Sequence, residues 1–272
     1  MTDLERLPPG VDPTVPSSAR VYDYLLGGKD NLAVDREVAD KLLAVAPDTR
    51  LVARASRHFQ IEAVRHLAGQ GIRQFLDLGT GIPTSPSIHE TVRQVHPACR
   101  VVYVDNDPVV RLHAQVLLAD APGLAAVQAD LRRPADILDD PQVTELIDFD
   151  RPVCVVMVGV LHFIMDEEDP AGIVATFRDR MAPGSHLVLS HALAESDPQA
   201  VGRLRASTDD TSAQAGFRTR EEVLSLFEGF ELIGPGLVPV HEWRLGADDQ
   251  EVPLIDGVPR LLIAAGVGRV KA

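Results

Sequence analysis

Three short stretches of this 272-residue chain place glycines or acids directly after apolar runs. The first, Phe75-Leu76-Asp77-Leu78-Gly79-Thr80-Gly81-Ile82-Pro83, is an apolar segment that breaks into a Gly-x-Gly turn. The second, Val101-Val102-Tyr103-Val104, ends in Asp105-Asn106-Asp107-Pro108, and the third ends in Gln128-Ala129-Asp130-Leu131. Glycines allow a tight turn and let a ligand approach the backbone closely. Asp105 stands at about the spacing at which an acid after such a turn reaches ribose hydroxyls. Taken singly, each feature is common. A strand-end aspartate is more often a helix cap, and Asp105 to Pro108 would also serve to start the next helix. All three together, at successive strand ends, point to a nucleoside site.

Asp77 discriminates between two kinds of nucleoside ligand. A dinucleotide brings a pyrophosphate to the glycine turn and wants a third glycine, where this chain has Thr84. It also gains nothing from a carboxylate two residues before the first glycine. S-adenosylmethionine has no phosphate and carries an ammonium and a sulfonium, which a nearby carboxylate favours. The plainer alternative is a strand-end acid bonded to neighbouring backbone amides.

The elements that must hold these residues follow from apolar periodicity. Residues 1–16 carry Pro8, Pro9, Pro13 and Pro16 without a pattern and are expected to form a tail or arm. A helix is expected from Ser17 or Ser18 to Leu26, stopped by Gly27-Gly28, and a second from Asp35 to near Pro47. A third, Asp48 to about Gln70, carries Val52, Ala55, Phe59, Ala63 and Leu67 at helical spacing. From Ile72 onward, apolar runs at 73–78, 100–104, 124–129, 153–161 and 186–191 alternate with helical segments at 87–96, 109–119 and 171–181. Continuous apolar strands separated by helices predict a mainly parallel, doubly wound sheet covered on both faces. Runs at 230–240 and 261–267, joined by a polar connection, predict a closing antiparallel hairpin. The domain organisation expected is a tail (1–16), a helical extension or lid (17–70) and an α/β domain (71–272).

Composition narrows the function. A formal net charge of −14 opposes a nucleic-acid backbone or an anionic membrane as partner. Hydrophobic residues at 45% exclude wholesale disorder. The two cysteines, Cys99 and Cys154, suggest no disulfide framework. With no secretory h-region and no apolar stretch long enough to cross a bilayer, the chain is expected to be cytoplasmic.

The residues resemble those of class I S-adenosylmethionine-dependent methyltransferases. More closely, 17 to about 195 are similar to a family of S-adenosyl methyltransferases of largely unassigned substrate. The likeness lies in Ala19-Arg20-Val21-Tyr22-Asp23-Tyr24-Leu25-Leu26-Gly27-Gly28-Lys29-Asp30-Asn31, in Gln74 to Thr84, in His89-Glu90 and in Val102 to Pro108. It implies a Rossmann-like seven-stranded sheet with its last strand antiparallel. It further implies that Gly79, Thr80 and Gly81 line the methionine and ribose, that Asp105 (with Asn106 beside it) holds the ribose, that Asp130 faces the adenine amino group and that Leu131 contacts the ring. Ser56 and Ser87 depart from the asparagines expected in relatives, so polar contacts from them are not carried over.

Methyl transfer is an in-line displacement that mainly requires alignment and exclusion of water. A base is needed only for a protonated nucleophile. His162, in Gly159-Val160-Leu161-His162-Phe163, is a candidate base at the end of the fourth strand, with Phe163 beside it; the alternative is a satisfied histidine shaping the wall. Tyr22, Tyr24 and Asn31 form either a lid, with Tyr22 catalytic, or a capped helix and solvated turn, and the resemblance favours the lid. Arg20 or Lys29 would pair with the cofactor's carboxylate. Acids at 136, 139 and 140 and at 167–169 are expected at helix starts, and no metal is expected. The segment after the fourth strand is Gly-Val-Leu-His-Phe, not an Asn/Asp-Pro-Pro-aromatic stretch, and neither cysteine stands in a Pro-Cys loop. This turns the expectation from nucleic acid to a small-molecule or protein acceptor, the small molecule being favoured. Two rivals are a non-catalytic S-adenosylmethionine sensor and an NAD(P)-dependent oxidoreductase.

Overall fold

The computed structural model describes residues 11–117, 121–208, 214–245 and 259–271. Five parallel strands form first: β1 (Gln74–Leu78), β2 (Arg100–Asp105), β3 (Leu124–Gln128), β4 (Cys154–Val158) and β5 (His186–Ala192). β6 (Phe230–Pro239) and β7 (Ile263–Val270) complete a sheet ordered β3-β2-β1-β4-β5-β7-β6. β7 runs antiparallel to both β5 and β6. The closing hairpin and the doubly wound parallel core therefore stand as the apolar pattern predicts. Strand order reverses between β1 and β4, which opens a crevice at the carboxyl ends of the strands.

Alternating side chains divide the sheet into two packed faces. Phe75, Val101, Cys154, Val156 and Val188 face α3 (Thr49–Gly69), which contributes Phe59, Ala63 and Leu67. Leu76, Val102, Val155 and Met157 face the other side. There, α6 (Pro134–Leu138), α7 (Pro141–Leu146) and α8 (Pro170–Arg178) bury Ile137, Val143 and Phe177. α4 (Ile88–Arg93) opens with a capping box in which Ser87 and Glu90 satisfy each other's amides. α5 (Pro108–Leu117) follows β2. The N-terminal helices α1 (Ser18–Leu26) and α2 (Ala33–Val45) join α9 (Pro198–Thr208) in a separate apolar cluster containing Leu25, Val38, Leu42 and Leu204. α10 (Arg220–Ser225) precedes β6. Among the described residues no helix is long and apolar enough to cross a membrane.

Several boundaries differ from the expected ones, each for a local reason. α2 begins at Ala33 because Asp35 sits inside its first turn and reaches back to the Leu32 amide at 2.8 Å. β4 stops at Val158, not Leu161: Gly159 turns the chain at φ +71° and donates its amide to Ser190 Oγ at 3.0 Å. A 3-10 turn, Leu161–Phe163, follows. The helix expected to reach Ala119 starts at Pro108, and 118–120 lie outside the described residues. α9 was not expected: Ala200 and Leu204 bury within a polar segment, too few to show a period.

Candidate functional site

A cavity of about 730 Å³ opens over the carboxyl ends of β1, β2, β3 and β4 and continues beneath α1, α2 and α9. That volume lies within the roughly 300–1,000 Å³ of small-molecule sites. The glycine turn forms part of its floor. Gly79 and Gly81 take φ of +71° and +66°, where only glycine sits without strain. A side chain on Gly79 would also collide with Val160. Gly79 and Thr80 donate their amides to Val104 O at 2.8 and 3.2 Å. Gly81 donates to Asp105 Oδ2 at 2.9 Å, and Asp107 N donates to Asp105 Oδ1 at 2.9 Å. Asp105 thus ties the turn after β1 to the turn after β2. Burial, with the Asp107 charge adding to it, raises the Asp105 carboxyl to about 6, although main-chain amides hold against the rise.

Asp77 stands one layer behind this floor. It is only 3% exposed, is not part of the cavity lining, and lies 3.4 Å from Gln60 Nε2. Burial pushes its carboxyl up to about 7, against the opposing pull of Arg57. In this geometry the Asp77 carboxylate faces Gln60 behind the floor and does not line the cavity in which it was expected to meet a ligand. Gln60, Arg57 and Ser56 do line the cavity, and sequence reasoning missed the first two. Arg57 donates to Thr84 O at 3.0 Å and Pro86 O at 2.6 Å, just beyond the glycine turn. One signal was present: Ser56 and Gln60 put polar side chains on the buried stripe of α3.

Asp130, Leu131 and Asn106 line the cavity as expected neighbours of the turn. Burial opposes ionisation of Asp130, but the Arg132 side chain, at 2.9 Å, and its amide hold the carboxyl below its ordinary range. Ser87 caps α4 away from the lining. Asp140 and Asp169 cap α7 and α8, so the acidic runs mark helix starts. Among the described residues no group of three or more His, Cys, Asp or Glu is placed to hold a metal ion.

The N-terminal helices cover the cavity, and they do so with paired groups. Arg20 Nε donates to Asp35 Oδ2 at 2.7 Å, both side chains being buried, and its Nη1 lies 3.7 Å from Asp107. Ser17 bridges the same acids, through its amide to Asp35 and its hydroxyl to Asp107. Arg20 lines the cavity but is committed to this latch, and Lys29 is exposed and outside the lining. Neither is free to meet a ligand carboxylate. Tyr22 lines the cavity and donates its hydroxyl to Ala53 O at 3.0 Å. Burial raises it to about 12, so the hydroxyl stays protonated near neutral pH. Tyr24 bonds Asp40, and Asn31 bonds Asp23 and Gly28; neither reaches the lining.

His162 and Phe163 enter the cavity from the turn after β4. His162 was expected to accept a proton near neutral pH, and its surroundings forbid that. Burial first, then neighbouring His191 and Arg218, lower it to about 3, so the ring is neutral. Its Nδ1 is buried without a hydrogen-bond partner. Behind it, Arg218 donates to Ile164 O at 2.8 Å and Asp166 Oδ1 at 2.7 Å, and contacts His191 Nε2 at 2.6 Å. His191 Nδ1 therefore donates to Ala192 O at 2.7 Å. This network fixes the segment that presents His162.

Comparison with known proteins decides what such a site belongs to. Residues 5–271 match the model of a family described as S-adenosyl methyltransferase. The chain belongs to the S-adenosyl methyltransferase family. A DUF574-family protein from Streptomyces avermitilis is 41% identical, with 95% of this chain and 99% of that chain covered and a TM-score of 0.86. A candidate methyltransferase from Thermobifida fusca is 40% identical over 98% of this chain and 99% of that one, with a TM-score of 0.89. No curated protein matches the chain. Family membership makes this an S-adenosylmethionine-dependent methyltransferase with a Rossmann-like fold. The floor suits that cofactor: Gly79 has no space for a side chain, and Asp105, Asp107 and Asp130 surround the turn with carboxylates that a diphosphate would meet at a cost.

Proposed function

We propose that this family member methylates a small-molecule acceptor by in-line displacement inside the capped cavity. The observation that carries the reading is the continuity of one cavity from the acid-flanked glycine turn to the helices that cover it. When bound, S-adenosylmethionine supplies a methyl group already activated on a sulfonium. Gly79, Thr80 and Gly81 cradle the methionine and ribose portions, Asp105 and Asn106 take the ribose, and Asp130 and Leu131 take the adenine. Arg57, whose Nη1 and Nη2 are held by Gln60, Thr84 and Pro86 but whose buried Nε has no partner, stands beside the turn as the cation nearest the cofactor's carboxylate. The cap of α1 and α2 excludes water and aligns the acceptor, which supplies most of what the reaction needs. His162, a neutral ring, orients the acceptor; the proton lost by the nucleophile leaves with the product and reaches bulk solvent outside the cap, because His162 does not retain one near pH 7. Buried, unpaired Cys99 and Cys154 support a reducing, cytoplasmic setting.

Turnover tests the proposal: release of S-adenosylhomocysteine, with an acceptor gaining one methyl in mass, is expected from a metabolite library. Tight S-adenosylhomocysteine binding without turnover of any acceptor would favour a sensor. Tight NADH binding with no response to S-adenosylhomocysteine would reverse the cofactor assignment.

A further inference from the structure

The cavity wall is divided by chemistry. Its ionisable side chains stand at the strand ends and the turns after them, along the N-terminal approach from Asp12 to Tyr22, and at Arg57 of α3, whereas α2, α9 and the segments at 214–217 and 261–263 contribute none among the described residues. Among the described residues those parts present Val38, Leu42, Leu204, Phe217, Leu261 and Ile263. Most belong to the apolar cluster that joins the cap helices, so the apolar wall is itself part of the cap's packing. A charged ligand placed there would lose its hydration with no ionisable side chain of the described wall beside it.

Two polar side chains interrupt this region, Gln214 and His162. His162 Nδ1 is buried and unpartnered, on a ring that lines the cavity between Phe163 and His191. An orphaned buried nitrogen calls for a hydrogen-bonding group from a ligand. A hydroxyl both donates and accepts, so it satisfies the nitrogen in either tautomer of a neutral imidazole. Arg218, behind His191, adds a reason for the ligand not to be cationic at that point.

We infer that the acceptor is an uncharged, predominantly apolar small molecule whose hydroxyl meets His162 Nδ1 while its body lies against the α2 and α9 wall. This rests on the methyltransferase reading and specifies its substrate class. Apolar contact supplies affinity here and the single polar contact supplies orientation, the usual division of labour in small-molecule sites.

The test uses the full-length protein saturated with S-adenosylhomocysteine and three probes of one shape: 2-naphthol, 2-naphthoate and 2-(aminomethyl)naphthalene. Calorimetry is expected to show 2-naphthol binding at least tenfold more tightly than either charged probe. Leu42→Arg should weaken 2-naphthol at least tenfold with S-adenosylhomocysteine affinity held within twofold. Val38→Thr, a near-isosteric change, should weaken it several-fold if the arginine variant does not fold. His162→Ala should weaken 2-naphthol but leave 2-methylnaphthalene unchanged. A charged probe binding as well as 2-naphthol, no binding by any probe at millimolar concentration, or indifference of 2-naphthol to Leu42→Arg and Val38→Thr would overturn the inference. Failure of S-adenosylhomocysteine itself to bind would instead strike the cofactor reading.

Discussion

The two ends of the cavity are built on opposite plans. At the strand ends the walls are main-chain amides, glycines and carboxylates, and every group is set by neighbours within a few residues or on the adjoining strand. Asp105, held by Gly81 N and Asp107 N, is typical. Under the cap the wall is aliphatic, assembled from α2, α9 and a segment beyond residue 260 that meet only in three dimensions. Between them lies the Ser17–Arg20–Asp35–Asp107 latch, the charged seam that fastens the cap to the strand-end acids. On the proposed function, the cofactor's end rests on rigid local geometry, and the acceptor's end rests on packing that can vary without disturbing it.

Breaking the seam should have the largest effect. Arg20→Ala leaves the buried Asp35 carboxylate with only the Ser17 and Leu32 amides, and should cost about 3–5 kcal/mol of stability in urea denaturation. A loss under about 1 kcal/mol would show that the cap does not depend on this pair. Asp105→Ala should weaken S-adenosylhomocysteine by roughly 1–3 kcal/mol with the fold kept, as charge-assisted hydrogen bonds are lost. An unchanged dissociation constant would remove Asp105 from the ribose.

Asp77 sharpens the comparison through pH. Its folded value of about 7 lies above its ordinary 3.8, so its contribution to stability is present in acid and is lost as pH rises through about 7. Ionisation also places a negative charge behind the floor. S-adenosylmethionine affinity should therefore rise between about pH 5.5 and 7.5, and Asp77→Asn should flatten that rise while stabilising the unliganded protein above about pH 7. An identical pH profile in the variant would deny Asp77 any influence on the cofactor. Lys29→Ala should be the smallest effect, with cofactor affinity unchanged within twofold, because the side chain lies outside the cavity lining; a larger loss would mean that the cap closes further than its present position.

The strand ends were readable in advance because their chemistry is local. The Asp77 to Gly81 turn, Asp105 and Asp130 announce themselves by type and spacing, and the sheet's continuous apolar runs demanded cover on both faces. Side-chain direction was not readable. Nothing in the local pattern distinguishes an Arg20 that faces a ligand from one that faces Asp35, fifteen residues on. Nor could the run Gly159 to Phe163 reveal that burial, with His191 and Arg218 from later segments beside the ring, keeps His162 uncharged.

Sequence alone thus determined the fold class and the order of the strands, since periodicity and turn chemistry act over a few residues. Tertiary structure alone decided which charges are free, which are paired, and what state His162 is in. Ionisation and hydrogen-bond satisfaction depend on burial and on partners brought from distant parts of the chain, and only the closed packing of cap against sheet specifies those.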